Sequence, residues 1–324
     1  MDRILSVKDL SVTYKNKYKS VYAVRNVDLE INRGDSVGIV GESGSGKSTL
    51  AMALLRLLPE TTAEITGSAE FMDKDLLTIP QTEMNELRWT KLSVVFQKAM
   101  NSFSPVHKIG AQIVDIYRVH YPKATKNEIY QRAIECLELV NLGKRVLDLY
   151  PHQLSGGMMQ RVSIAAALLH KPDLLIMDEA TTALDVVTQG QILEEVKSME
   201  KNLNTTRIMI THDMSVVAAS CNRVAIMYAG EILEDGPVEQ IFRRPVHPYT
   251  QGLLGSFPSL KGENKKLVSI PGFLPDLSRR YEGCIFAPRC SRATEECFRS
   301  APKPQLVQDN HKVSCHYAAE VRNE

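Results

Sequence analysis

At 324 residues with 44% hydrophobic content, the chain is long enough to bury a large core and to form more than one domain. Its 39 Lys and Arg against 38 Asp and Glu leave a net charge of +1, which excludes a global field aimed at nucleic acid or an anionic membrane. No uncharged apolar run is long enough to cross a bilayer, and Met1-Asp2-Arg3 opens no signal peptide, so a soluble chain is expected, one still able to bind a membrane-spanning partner.

Residues 3–31 alternate in strand fashion through Ile4, Leu5, Val7, Leu10, Val12 and Tyr14, then Val24, Val27, Leu29 and Ile31. An antiparallel layer is expected, closed by the turn Asn32-Arg33-Gly34-Asp35. Tyr14 and Tyr22 are candidates to stack on a base, and packing against strand neighbours explains either one equally well. The strand-length run Ser36-Val37-Gly38-Ile39-Val40 then meets Gly41-Glu42-Ser43-Gly44-Ser45-Gly46-Lys47-Ser48-Thr49, which fits the phosphate-loop pattern G-x-x-x-x-G-K-[ST]. A helix follows from Leu50 and should be stopped by Pro59. Strand, glycine turn and helix start aim backbone N–H groups and the positive end of a helix dipole at one anion. Lys47 then reaches terminal phosphates and the Ser48 hydroxyl can ligate magnesium.

Further along, Leu92–Phe96 reads as a strand running into Gln97 and a loop from Lys98 to Pro105. Thr125-Lys126-Asn127-Glu128 is a capping box, with Ile129, Ala133, Ile134, Leu137 and Val140 at helical spacing and Gly143 as the expected stop. Cys136 inside that helix reads as a core thiol. Ser155 is a good N-cap for the helix opened by Gly156 and Gly157, where backbone can approach an anion. Leu174–Met177 is wholly apolar, as suits a parallel strand buried on both faces, and ends in Asp178-Glu179. Carboxyl ends of such strands are where open α/β sheets place ligands. Asp178 would hold magnesium and Glu179 polarise a water. Arg207–Thr211 is another core strand, leading to His212, and the strands around Ala229-Gly230 form a hairpin.

This order of elements resembles the nucleotide-binding subunits of ABC transporters over roughly the first 250 residues. Residues 41–49 resemble the Walker A loop and Gln97 the Q-loop. Leu154-Ser155-Gly156-Gly157-Met158-Met159-Gln160 matches the signature sequence, Leu174–Glu179 the Walker B strand, Ala183-Leu184-Asp185 the D-loop, and His212 the switch histidine. The fold implied is an α/β P-loop NTPase core with an antiparallel layer and a helical subdomain. Residues 1–87 and 172–245 would form the ATP-binding core, 88–171 the helical subdomain with the signature, and 246–324 a small Cys-rich extension. The resemblance also implies two ATPase subunits sandwiching ATP head to tail. Gly41, Ser43, Gly44, Ser45, Gly46, Lys47, Ser48, Thr49, Gln97 and Tyr14 would serve one subunit's nucleotide. Ser155, Gly156, Gly157, Gln160 and Asp185 would reach it from the opposing subunit. Glu179, His212 and Lys47 would be catalytic, and Ser48, Gln97 and Asp178 would hold Mg2+. Tyr14 matches the base-stacking aromatic, with Tyr22 still open.

Beyond Arg243, His247-Pro248-Tyr249-Thr250 and the prolines 258, 271 and 275 begin a different, extended region. It carries Cys284, Cys290, Cys297 and Cys315, whose clustering in a chain with an intracellular nucleotide site suggests metal before disulfides. This tail resembles the C-terminal extension of oligopeptide, dipeptide and nickel-peptide importer ATPases, a branch in which the four cysteines are associated with an iron–sulfur cluster. The spacing C-x5-C-x6-C-x17-C by itself matches neither zinc knuckles nor ferredoxin patterns. A [4Fe-4S] cluster is favoured on the resemblance over Zn2+, with His316 a substitute ligand in the zinc case. A metal is expected to be the main staple of a tail with little core of its own.

The function implied is a peripheral ATPase on the cytoplasmic face of the cell membrane, energising uptake of di- or oligopeptides. Its partners would be a second ATPase subunit in a heterodimer, two transmembrane permeases and, indirectly, an external peptide-binding protein, with no nucleic acid. The rival classes are a soluble ABC-type ATPase of DNA repair or translation and a metal-responsive ABC ATPase. The single motif set and the lack of long heptad insertions argue against the first.

Overall fold

The computed structural model describes residues 2–97, 102–181, 185–203, 205–256 and 270–321, and the chain divides into two compact units. The D-loop residues Ala183 and Leu184, the start of the loop after Gln97, and Pro258 lie outside the described residues.

One unit comprises Met1–Ile4, Asn32–Ser36 and Thr78–Thr211. Leu92–Val95 and Leu174–Asp178 run parallel with Leu92 opposite Leu174 and Val95 opposite Met177. Leu174–Asp178 in turn runs parallel to Thr206–Thr211, Asp178 opposite Ile210. All five residues of the middle strand are buried, which is why its sequence carries no polar residue before Asp178. The helices Ile109–His120, Lys126–Leu139, Gly156–Ala167 and Val186–Leu203 belong to the same unit. The turn at Asn32–Asp35 forms with Gly34 at φ 81°, and Arg33 pairs with Asp173, which also binds Lys91.

Thr125 and Glu128 cap the helix Lys126–Leu139 reciprocally, as the capping box requires. The end of that helix differs from the expectation. Asn141, not Gly143, takes the left-handed conformation at φ 52°, with Leu142 N–H donating to the Leu137 carbonyl and Asn141 N–H to that of Glu138. This is a Schellman turn, for which Asn serves when Gly is absent. Cys136 is a core thiol as expected, its pKa pushed up to about 11 by burial.

The other unit comprises Leu5–Ile31, Val37–Leu77 and His212–Glu324. Its antiparallel layer contains Arg3–Lys15 between Ser20–Asn32 and Ala63–Phe71. The last of these strands was not legible in the sequence. The strand before the phosphate loop pairs in parallel with Arg223–Tyr228, Val40 opposite Ile226. Arg223–Tyr228 and Glu231–Pro237 form the expected hairpin, turning through Ala229 and Gly230 at φ 49° and 92°. The loop helix is Lys47–Leu54 and ends before Pro59. Arg56 at φ 48° closes it, with Leu57 N–H donating to the Met52 carbonyl.

The tail corrects the expectation of a segment with little core. His311–Val313 adds to the hairpin strand Glu231–Pro237, and Gln305–Gln308 adds to His311–Val313. Ile285 and Phe286 pack into one buried cluster with Tyr228, Tyr249, Leu233 and Val40. A second cluster joins Val246, Val307, Val313 and Ala318. Apolar burial shared with the phosphate-loop unit therefore holds the tail.

Candidate functional site

In the phosphate-loop unit, the loop leaves its strand at Gly41 and enters the helix at Lys47 with Gly46 as N-cap at φ 101°. Glycine is obligatory at both ends. A Cβ on Gly41 would stand 1.9 Å from the Met227 carbonyl oxygen, and one on Gly46 would stand 2.2 Å from that of Ala23. Gly44 is also left-handed at φ 81°. The loop is tied to the hairpin, since Gly230 N–H donates to the Ser45 carbonyl at 2.9 Å. Lys47 is buried, and its Nζ donates to the carbonyls of Gly41 and Glu42 at 2.8 and 2.9 Å. The ammonium thus sits inside the loop's own curve, where an anion's charge would be met. Ser48 and Thr49 follow in the first helical turn. The Tyr14 hydroxyl lies 3.3 Å from Thr49 Oγ1, which brings the first strand's aromatic to the loop helix. Tyr22 is engaged otherwise: its N–H donates to the Leu277 carbonyl, and Arg280 lies over its ring at 5.2 Å. His212 begins this unit's third segment and is exposed, while Asp213 caps the following helix through Ser215 N–H.

In the other unit, parallel pairing puts the carboxyl ends of two strands side by side, so Gln97 and Glu179 meet two residues beyond the Val95–Met177 pair. The Gln97 amide donates to Glu179 Oε2 at 2.6 Å. Glu179 is left-handed at φ 48°, a costly conformation for a non-glycine residue, and its N–H donates to the Ile210 carbonyl at 2.8 Å. Asp178, just before it, is buried at the strand end. Within this unit the Gln97 amide and Asp178 carboxylate offer oxygen donors of the kind Mg2+ takes, and in the phosphate-loop unit the Ser48 hydroxyl offers another.

Ser155 caps the signature helix, its Oγ accepting from Met158 N–H at 3.3 Å. Ser155 and Gly156 are exposed, and a Cβ on Gly156 would meet nothing within 4 Å. Gly157 packs on Thr188, whose methyl carbon would lie 2.8 Å from an added Cβ. Thr188 is held in turn by Asp185, which accepts from its backbone N–H at 3.0 Å and from its hydroxyl at 2.7 Å. Those two bonds, the backbone one first, lower the Asp185 pKa. Gln160 is buried, its Nε2 without a hydrogen-bond partner among the described residues.

All four tail cysteines are free thiols and line one small cavity of about 20 Å³, together with His247, Phe286 and His316. Burial raises the thiol pKa of Cys284 to about 11 and pushes Cys290 and Cys315 up as well. Backbone groups oppose it: those of Phe286 and Ala287 at Cys284, Arg292 at Cys290 and Tyr317 at Cys315. The donor chemistry fits a soft metal or cluster. The geometry does not place one, because among the described residues no three His, Cys, Asp or Glu side chains form a metal-holding group. Beyond the shared cavity, the described geometry thus lends the iron–sulfur and zinc assignments no support. His316 is not an available substitute ligand: its Nε2 bonds the Ser300 carbonyl at 2.9 Å and its Nδ1 faces Glu296 at 3.6 Å.

Residues 24–182 match the family described as ABC transporter, and residues 233–297 match the oligopeptide/dipeptide transporter C-terminal region. Over its whole length the chain is 43% identical to the oligopeptide transport ATP-binding protein OppD of Haemophilus influenzae, covering 100% of both. The chain belongs to the ABC transporter ATP-binding proteins. Within that family, it is also 44% identical to OppD of Bacillus subtilis, over 96% of this chain and 88% of that protein. Among solved structures, the dimeric ABC cassette MJ0796, in a post-hydrolysis state bound to ADP and Pi, aligns with a TM-score of 0.65 at 30% identity. It covers 72% of this chain and 99% of that one. Among the described residues no helix is long and apolar enough to cross a membrane.

The sequence reading missed Glu42, Tyr249 and Arg289. Glu42 occupies a variable position of the phosphate-loop pattern, and its partners lie 207 and 247 residues away. No local spacing could have signalled either contact.

Proposed function

We propose that this chain is the ATP-hydrolysing subunit of an ABC importer that takes up di- or oligopeptides. The observation that carries the reading is one continuous chain bearing both a complete phosphate loop and a tail of the oligopeptide/dipeptide transporter class. Lys47 binds the terminal phosphates and Tyr14 stacks on the base, while Ser48, Gln97 and Asp178 would hold Mg2+, which would neutralise phosphate charge. Glu179 takes a proton from water as its oxygen attacks the γ-phosphorus. The bond to the β–γ bridging oxygen breaks and ADP carries away the electron pair. Gln97 orients Glu179, and His212 contacts the γ-phosphate. Ser155 and Gly156, exposed at a helix N-terminus, close on the nucleotide of a second ATPase subunit, with Gly157, Gln160 and Asp185 shaping that surface from behind.

That second subunit is a related ATPase, and the pair rests on two permeases at the cytoplasmic face of the membrane, served by an external peptide-binding protein. Differential contact with ATP and ADP drives the permeases between states. Cys284, Cys290, Cys297 and Cys315 hold an iron–sulfur cluster, a reading supported by four free thiols ringing one cavity. Reconstituted complex in vesicles tests the function: peptide-stimulated ATP hydrolysis with uptake is expected, and hydrolysis unresponsive to binding protein and peptide would overturn it. Anaerobic purification tests the cluster, with a brown protein expected and a colourless, zinc-loaded or metal-free one refuting it. A single ATPase species in a transporting complex would refute the heterodimer.

A further inference from the structure

We propose that Arg289 is a positioning residue for the phosphate loop, through which the cysteine-lined segment sets nucleotide affinity; this rests on the loop being the ATP site. Glu42, the second residue of the loop, is gripped at two places by chain from beyond the ATPase core. Its Oε2 accepts from Arg289 Nη1 at 3.0 Å. Its backbone N–H donates to the Tyr249 hydroxyl at 3.1 Å. Its own carbonyl accepts from Lys47 Nζ at 2.9 Å, so Glu42 is a joint between the tail and the lysine that meets phosphate.

Arg289 is built to hold a position. Its side chain is only 7% exposed against 28% for Glu42, and its guanidinium lies over the Tyr228 ring at 5.6 Å. Nε donates to the Pro271 carbonyl at 2.8 Å, and Nη1 also reaches the Tyr228 hydroxyl at 3.4 Å. A planar fork with several donors fixed at once has little freedom to follow Glu42 if the loop shifts. Its backbone belongs to the turn Ala287–Arg289, strung between two cavity thiols. Ala287 N–H donates to the Cys284 carbonyl, and Cys290 N–H to that of Ala287. Cys290 thus adjoins Arg289 directly, and Cys284 is linked to it through one hydrogen bond at Ala287.

The second grip has the same origin. His247 lines the cysteine cavity and accepts the Tyr249 N–H on Nδ1 at 3.0 Å, starting the helix Pro248–Gly255. Two connectors thus run from one cavity wall to the two ends of one loop residue, its carboxylate and its N–H. Arg289 is not what docks the tail, since Ile285 and Phe286 already bury its apolar face against Tyr228 and Tyr249.

The test is a double-mutant cycle in the full chain within its complex, using Glu42→Gln, Arg289→Gln and both, with ATP affinity and the KM and kcat of hydrolysis as readouts. Each single change is expected to weaken ATP binding and raise KM about tenfold, acting on KM more than on kcat, with the double no weaker than either single. Arg289→Lys should recover part of the loss. Unchanged affinity in the single variants, or losses that multiply in the double, would overturn the proposal. If Arg289→Gln does not fold, Glu42→Gln decides, because it changes only a partly buried group on the loop and must still weaken ATP. Failure of the wild-type chain to bind ATP would instead overturn the underlying reading of the loop.

Discussion

The Gln97 amide and the Glu179 carboxylate are hydrogen-bonded at 2.6 Å across 82 residues of chain. The contact exists because parallel pairing brings the carboxyl ends of their strands to one level. It fixes the direction in which a strained glutamate points, as a general base requires before water arrives. Glu179→Gln is expected to lower ATP turnover roughly 10²–10⁴-fold while ATP binding persists. Near wild-type hydrolysis by this variant would remove Glu179 from the base role.

Gly46→Ala should abolish nucleotide binding and lower stability together. The added methyl meets the Ala23 carbonyl at 2.2 Å in a backbone at φ 101°, a conformation that costs a non-glycine residue on the order of 1–3 kcal/mol. Thermal unfolding and ATP titration on the same sample check this, and an unshifted midpoint would contradict the packing described for the loop.

Tyr14→Ala is expected to weaken ATP about tenfold, the usual worth of one base-stacking aromatic. Tyr22→Ala should not, because Arg280 covers that ring. Equal losses from the two changes would deny Tyr14 its distinct place beside Thr49.

Acid should loosen the phosphate-loop unit through His247. Burial drops its pKa from the ordinary 6.5 to about 4, with Glu234 opposing. The unfolded chain therefore binds the proton first, and stability present above pH 6.5 is lost progressively down to about pH 4. Protonation also removes the Nδ1 acceptor of Tyr249 N–H. His247→Asn, which keeps an acceptor but does not titrate, should flatten the slope of stability against pH in that window. An unchanged slope would assign the acid sensitivity elsewhere.

Much of the fold was legible because its signals are local. The phosphate loop, the Thr125–Glu128 box, the apolar strand before Asp178 and the Ala229-Gly230 turn each occupy a few consecutive residues with one physical solution. Helix ends were less legible, since Asn141 and Arg56, rather than Gly143 and Pro59, take the left-handed conformations that close the helices. The tail was least legible. Its strands are short, and its contacts with Glu42 and Tyr22 depend on chain more than 200 residues distant. The cysteines were visible at once, yet their spacing could not reveal that apolar packing would already secure the segment around them.

The strand His311–Val313 covers the flank of Glu231–Pro237, and His311 meets the wholly buried Glu234 at 2.8 Å. Cutting the chain after the hairpin would not yield a tidy minimal ATPase. It would strip the carboxylate of His311 and of the two N–H groups at Val246 and His247, wet a charge the interior was shaped around, and leave a bare row of backbone donors and acceptors open to pairing with another molecule. Aggregates of such a fragment would report that the appendage and the engine were never separable parts.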